Sequence, residues 1–171
     1  TGYTVTFTKP ASASGFTTKH VADADVALDS NADTITGASD PVVLGASAQD
    51  LTIDAGFLAD GALVINKLLE GVGVKPFGAD DQLTFTVVCS FNGAEVLNTS
   101  VDLDVNGATS VTSDELGPLP AYSTCVVTET AKGDADSVPA PVTVTVPWDA
   151  TAQAAGVVTA SLTNYYSAGR I

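Results

Sequence analysis

Read for alternation, the chain breaks into short runs in which apolar residues recur at every second position. They are "YTVTFT", "PVVLGA", "LTIDAGF", "ALVINKLL", "QLTFTVVCSF", "EVLNTSVDLDV", "TCVVTET", "PVTVTVPW" and "GVVTASLTNYY". Gly, Pro, Asn or Asp bounds each run, and Thr and Val dominate them, which suits a pleated, half-buried surface. Many short strands separated by turn signals predict an all-β protein built as a β-sandwich. No long helical period occurs; "DATAQAAG", residues 149–156, is the one segment that reads as a short helical turn. A boundary falls near "DAGFLADGALV". Residues 61–171 carry enough strands for a complete immunoglobulin-like sandwich. Residues 1–60 hold three or four strands and one acidic loop, too little for a sandwich of its own, and read as a partial module.

Composition narrows the class. Of 171 residues, 45% are hydrophobic, so a packed core is feasible. The formal net charge of −14 repels phosphate backbones and anionic membrane surfaces, which disfavours nucleic acid and membrane as partners. No apolar run approaches the roughly 18 residues of a membrane span. The start, "TGYTVTFTKP", lacks an initiator Met and the basic and apolar blocks of a signal peptide, and reads as a mature or excised piece of a longer polypeptide. Two cysteines in an acidic, Thr- and Ala-rich chain suggest an extracellular compartment and one disulfide.

Candidate chemistry comes from parity. Side chains at i, i+2 and i+4 of a strand share a face. Lys67 falls in register with Leu63 and Ile65, Glu129 with Cys125 and Val127, and Asn164 with Ala160 and Leu162. An amine, an acid and an amide thus occupy three apolar faces, in a chain with only six Lys and Arg residues. Burial favours the neutral amine and the protonated acid. A neutral Lys67 amine can attack the Asn164 amide carbon while Glu129 moves protons, expelling ammonia and leaving a Lys–Asn isopeptide bond without any cofactor. The fold holds the reactants together, and well-oriented intramolecular reactions reach effective molarities of roughly 10⁵–10⁸ M. The plainer alternative has Lys67 reaching a sheet edge, Glu129 as its ion-pair partner and Asn164 ending a strand. Cys89 shares the inward parity of Leu83, Phe85 and Val87, and Cys125 that of Val127, as an inter-strand disulfide requires; two buried thiols would show the same pattern.

The segments "LVINKLLEG", "LTFTVVCS", "LGPLPAYSTCVVTET" and "VTASLTNYY" together resemble a Cna-B-type domain of Gram-positive surface proteins, in its cysteine-bearing actinobacterial branch. The resemblance covers about residues 62–167. It implies a reverse immunoglobulin-like sandwich in which Lys67, Glu129 and Asn164 form an autocatalytic crosslink. "LPAYSTC" departs from the family, with Ala121 and Tyr122 where a Gly-containing turn is usual.

The stretch "VADADVALDSNADTITG" sets Asp23, Asp25, Asp29, Asn31 and Asp33 close together. Calcium takes six to eight oxygen ligands, and "DSNAD" supplies part of such a loop. It lacks the Gly and Glu of an EF-hand, so a solvated acidic loop is the plainer interpretation. With "LTIDAGF" closing it, the segment resembles the C-terminal part of an Sdr-type B domain, a calcium-binding spacer of surface adhesins. That resemblance implies Ca²⁺ ligands at Asp25, Asp29, Asn31 and Asp33, with Asp23 at the margin, and a module lacking its N-terminal strands.

External-substrate catalysis has little support. The only histidine, His20, lies in a Thr-rich loop and reads as a surface residue. Trp148 and the Tyr165–Tyr166 pair could line a sugar-binding groove, but read more simply as core plugs. The expected function is a structural stalk or spacer of a bacterial cell-surface adhesin or fibre, held by an isopeptide bond and a disulfide, not an enzyme on other molecules. Its partners would be adjacent repeats of the same polypeptide, at the extracellular cell wall. The alternative is a ligand-binding adhesin module that recognises host protein or glycan at the domain junction.

Overall fold

A computed structural model describes residues 2–11, 13–21, 25, 29–74, 81–149, 151 and 154–168. The backbone divides into two compact units, Thr1–Asp60 and Gly61–Ile171.

Strand pairing in the first unit is sparse. β1 (Gly2–Tyr3) pairs antiparallel with β3 (Val42–Val43). β2 (Ala13–Phe16) runs antiparallel to the first residues of β4 (Phe57–Glu70), where the Phe16 and Phe57 rings meet at 5.3 Å. Most of "YTVTFT" is not strand; beyond Tyr3 it keeps a single bridge from Thr6 to Ala38. "LTIDAGF" forms no strand before Phe57. Its backbone bonds the acidic loop instead: Asp54 N donates to Asn31 Oδ1 at 2.8 Å, and Asn31 N donates to Asp54 O at 3.0 Å. Alternation makes a strand only where one face is covered. Leu51 remains 87% exposed, so nothing rewards pairing there.

The second unit is a two-sheet, immunoglobulin-like sandwich. In one sheet β5 (Gln82–Phe91) lies between β6 (Ala94–Asp104) and β9 (Thr124–Ala131), with β10 (Val142–Thr145) beyond β9. The β5–β6 hairpin turns at Asn92–Gly93, both with positive φ, as a two-residue hairpin matched to the strand twist demands. In the other sheet β13 (Val157–Tyr165) runs parallel to β4, while β7 (Ser110–Thr112) and β8 (Leu116–Pro120) also pair with β4. The first and last strands of this unit are therefore neighbours. Leu63 and Ile65 of β4, Leu83, Phe85 and Val87 of β5, Val127 of β9 and Leu162 of β13 fill the space between the sheets. Around "DATAQAAG" the expected helical turn does not appear in the described residues. β11 (Trp148–Asp149) and β12 (Ala154–Ala155) form a short antiparallel pair instead. So short a segment cannot offset the cost of helix nucleation. No helix among the described residues is long and apolar enough to cross a membrane.

Cys89 lies opposite Cys125 in the β5–β9 register, and the two form a disulfide across 36 residues of chain. The bond joins neighbouring strands of one sheet. In the chain-entropy account, closing a loop of that size contributes about 3–4 kcal/mol. The double variant Cys89→Ala, Cys125→Ala is expected to lose that amount in urea unfolding. A loss no larger than that of a surface substitution would contradict it.

Candidate functional site

Alternation along β4 turns Lys67 inward with Leu63, Ile65 and Leu69, and its side chain is fully buried. Leu162 of β13 pairs with Lys67, so Asn164, two residues on, lies on the same face and diagonal to the lysine. Glu129 points inward from β9 in the opposite sheet. The three side chains close a ring of hydrogen bonds. Lys67 Nζ donates to Glu129 Oε2 at 2.7 Å and to Asn164 Oδ1 at 2.6 Å. Asn164 Nδ2 donates to Glu129 Oε1 at 2.7 Å. The Phe85 ring stands beneath the amine, its centroid 5.8 Å from Nζ, within cation–π range.

This geometry is what makes the burial tolerable. An isolated buried charge costs several kcal/mol, and an ion pair tolerates the interior only when its remaining donors and acceptors are filled. Burial holds the Lys67 pKa below the ordinary lysine value, and the Glu129 carboxylate pulls the other way. A lowered pKa favours the neutral, nucleophilic form of the amine, which lies beside the Asn164 amide.

Tyr166 extends the set. It is 1% exposed, and its hydroxyl donates to Asp81 Oδ2 at 2.9 Å. Burial first, then Asp81, pushes the phenol pKa up, so the hydroxyl stays protonated. Of the two expectations for Tyr166, groove lining or core plug, its burial matches the second. Its parity with Asn164 was the signal that it shares the inward face.

Among the described residues, the acidic loop brings together no comparable centre. Asp23 lies outside the described residues. Asp25 offers its backbone oxygen to Asp29 N. Asn31 Oδ1 is taken by Asp54 N, and Asp33 Oδ1 accepts from Ile35 N and from both donors of Thr36. Asp29 is buried; its Oδ2 meets His20 Nδ1 at 3.1 Å, while Oδ1 has no hydrogen-bond partner among the described residues. Among the described residues, no group of three or more His, Cys, Asp and Glu is arranged to hold a metal ion. His20 is more than a solitary surface residue. Its ring spans Asp29 and Asp40, with Nε2 3.1 Å from Asp40 Oδ2, and these hydrogen bonds raise its pKa.

Two solved structures of a pilus-presented adhesin, Spy0125 (Cpa), are similar to this chain. Their sequence identities are 15% and 14%, each with a TM-score of 0.42. The matches cover 63% and 66% of this chain and 28% and 29% of those chains, so it spans less than a third of that adhesin's length. No curated protein matches the chain. The profile of a domain of unknown function, DUF5979, matches residues 63–167, and the chain belongs to that family.

Proposed function

We propose that the second unit is a self-crosslinking structural module of a bacterial surface fibre or adhesin stalk, of the Cna-B kind. The buried ring of Lys67, Glu129 and Asn164 is the observation that carries this. From the ammonium–carboxylate pair, Lys67 Nζ gives one proton to Glu129. The neutral amine then attacks Asn164 Cγ. The Nζ–Cγ bond forms, a second Nζ proton passes to Nδ2, and the Cγ–Nδ2 bond breaks to release ammonia. Glu129 returns its proton to the ammonia, which leaves as ammonium. Oε2 faces the amine and Oε1 faces the leaving nitrogen, so one carboxyl serves both transfers. The first unit, by its likeness to an Sdr-type B segment, would serve as a spacer, and adjacent repeats of the same polypeptide would be its neighbours at the cell wall. The chemistry acts on the chain itself and on no outside substrate.

Intact mass under reducing conditions tests this. The chain is expected to fall short of its sequence mass by one ammonia. The reacting tautomer holds the same single proton as the resting Lys67–Glu129 pair, so the rate of mass loss in newly made protein should be flat with pH wherever the pair keeps that proton. A full-mass protein at every pH would exclude the crosslink.

A further inference from the structure

Lys67 and Asn164 reach the site by one route and Glu129 by another. The amine and the amide belong to one sheet, where β13 follows β4 in unbroken parallel register from Val157–Ala62 to Tyr165–Glu70. The acid comes from β9 in the opposite sheet. Its place against the amine depends on how far β9 has slid along β5.

Apolar burial does not set that distance. A slip of one residue would turn every inward side chain of β9 outward, and burial forbids it. A slip of two keeps Cys125, Val127 and Glu129 inward, against a β5 face on which Leu83, Phe85, Val87 and Cys89 are all fully buried and apolar. Such a slip carries Glu129 about 7 Å along the strand, well outside its 2.7 Å contacts with Lys67 and Asn164. The end of β9 that bears the acid is also the less held. β10 pairs only with Thr124–Val127. From Thr128 onward β5 alone pairs with β9 among the described residues, and that ladder shifts register just beyond Glu129, between Phe85 and Thr84.

One covalent tie fixes the distance. Cys89 lies opposite Cys125, Val87 opposite Val127 and Phe85 opposite Glu129. Cysteines whose Cα atoms stand more than about 7 Å apart cannot be bridged, so the disulfide excludes the slipped registers. Phe85 is the residue whose ring stands beneath the Lys67 amine. The pinned register therefore brings the acid to the place where the amine waits.

We propose that the Cys89–Cys125 disulfide is the pin that holds Glu129 in register with Lys67, so that the self-crosslink waits for oxidation of the two cysteines. This rests on the crosslinking function above. Cys89 and Cys125 act through Glu129 and are positioning residues. Their thiols give two electrons and two protons to a small-molecule disulfide, which leaves as two thiols, and the Sγ–Sγ bond forms. In a reducing compartment the module stays without its covalent tie.

The test follows intact mass after a pulse of cell-free synthesis of the full chain, in excess reductant or in a mixture of glutathione and its disulfide. Alkylating free thiols before measurement shows both bonds in each molecule. The crosslinking rate scales with the fraction of molecules in the competent register. With about a tenth of them competent, the reduced chain is expected to lose ammonia about tenfold more slowly. Adding glutathione disulfide should restore the rate. Cys89→Ala with Cys125→Ala should behave like the reduced chain in either mixture. In the oxidised sample the disulfide should precede ammonia loss. The reduced chain carrying Asn164→Ala, which forms no crosslink, gives the folded fraction without the disulfide. Equal rates with and without the disulfide would overturn the pin and leave the crosslink standing. So would slowing that only tracks a loss of folded protein, or ammonia loss ahead of the disulfide. If the oxidised parent loses no ammonia, the crosslink itself fails and the pin falls with it.

Discussion

Glu129→Ala is expected to keep the full sequence mass and to melt on the order of 20 °C below the parent. Two effects add. Lys67 and Asn164 are 97 residues apart in sequence, and in the chain-entropy account a crosslink closing a loop of that size contributes about 4.7 kcal/mol. The variant also strands Lys67 in an apolar interior without its acid, which the amine partly relieves by giving up its proton. Asn164→Ala separates the two effects. It removes the amide that reacts but leaves the Lys67–Glu129 ion pair at 2.7 Å. Both variants should show full mass, with Asn164→Ala the more stable. A Glu129→Ala protein already lacking one ammonia would remove the carboxyl from the chemistry. A melting point within a few degrees of the parent would remove the bond from the stability.

Pulled from its two ends, the second unit is expected to yield only short extensions. Force entering at Gly61 would travel along β4 to Lys67, cross the proposed isopeptide bond to Asn164 and leave through the end of β13. These two strands are parallel neighbours, with Lys67 opposite Leu162, so such a bond would bridge them directly. The chain between the crosslinked residues, 97 positions in sequence separation, would stay out of the load path. Roughly 330 Å of contour should therefore remain hidden in single-molecule extension. Lys67→Ala should restore most of it. The Cys89–Cys125 disulfide would still withhold its own 36-residue span until reduced. A parent molecule that extends as far as the Lys67→Ala variant would show that the bond does not carry load.

The same 2.0-residue period that predicts strands also fixes the face of each side chain, because a strand cannot turn one residue inward without turning its neighbours outward. That is why the inward direction of Lys67, Glu129, Asn164, Cys89 and Cys125 could be read from the chain. Asn92–Gly93 marked the β5–β6 hairpin for an equally local reason, since few residues besides Asn and Gly accept positive φ. Local pattern does not say which strand lies beside which. Only the fold sets β13 parallel to β4, faces β9 across the core and so brings an amine, an acid and an amide within 2.6–2.7 Å. It also decides whether a pattern is used at all. Leu51 alternates like a strand residue yet stays exposed, while the Pro-bearing "LGPLP" becomes β8 because β4 offers it a partner. Tyr166 was legible as an inward residue, but its bond to Asp81, 85 residues away in sequence, was not. Sequence alone determined the direction of each side chain; contacts between distant segments came from burial and hydrogen bonding summed over the whole domain.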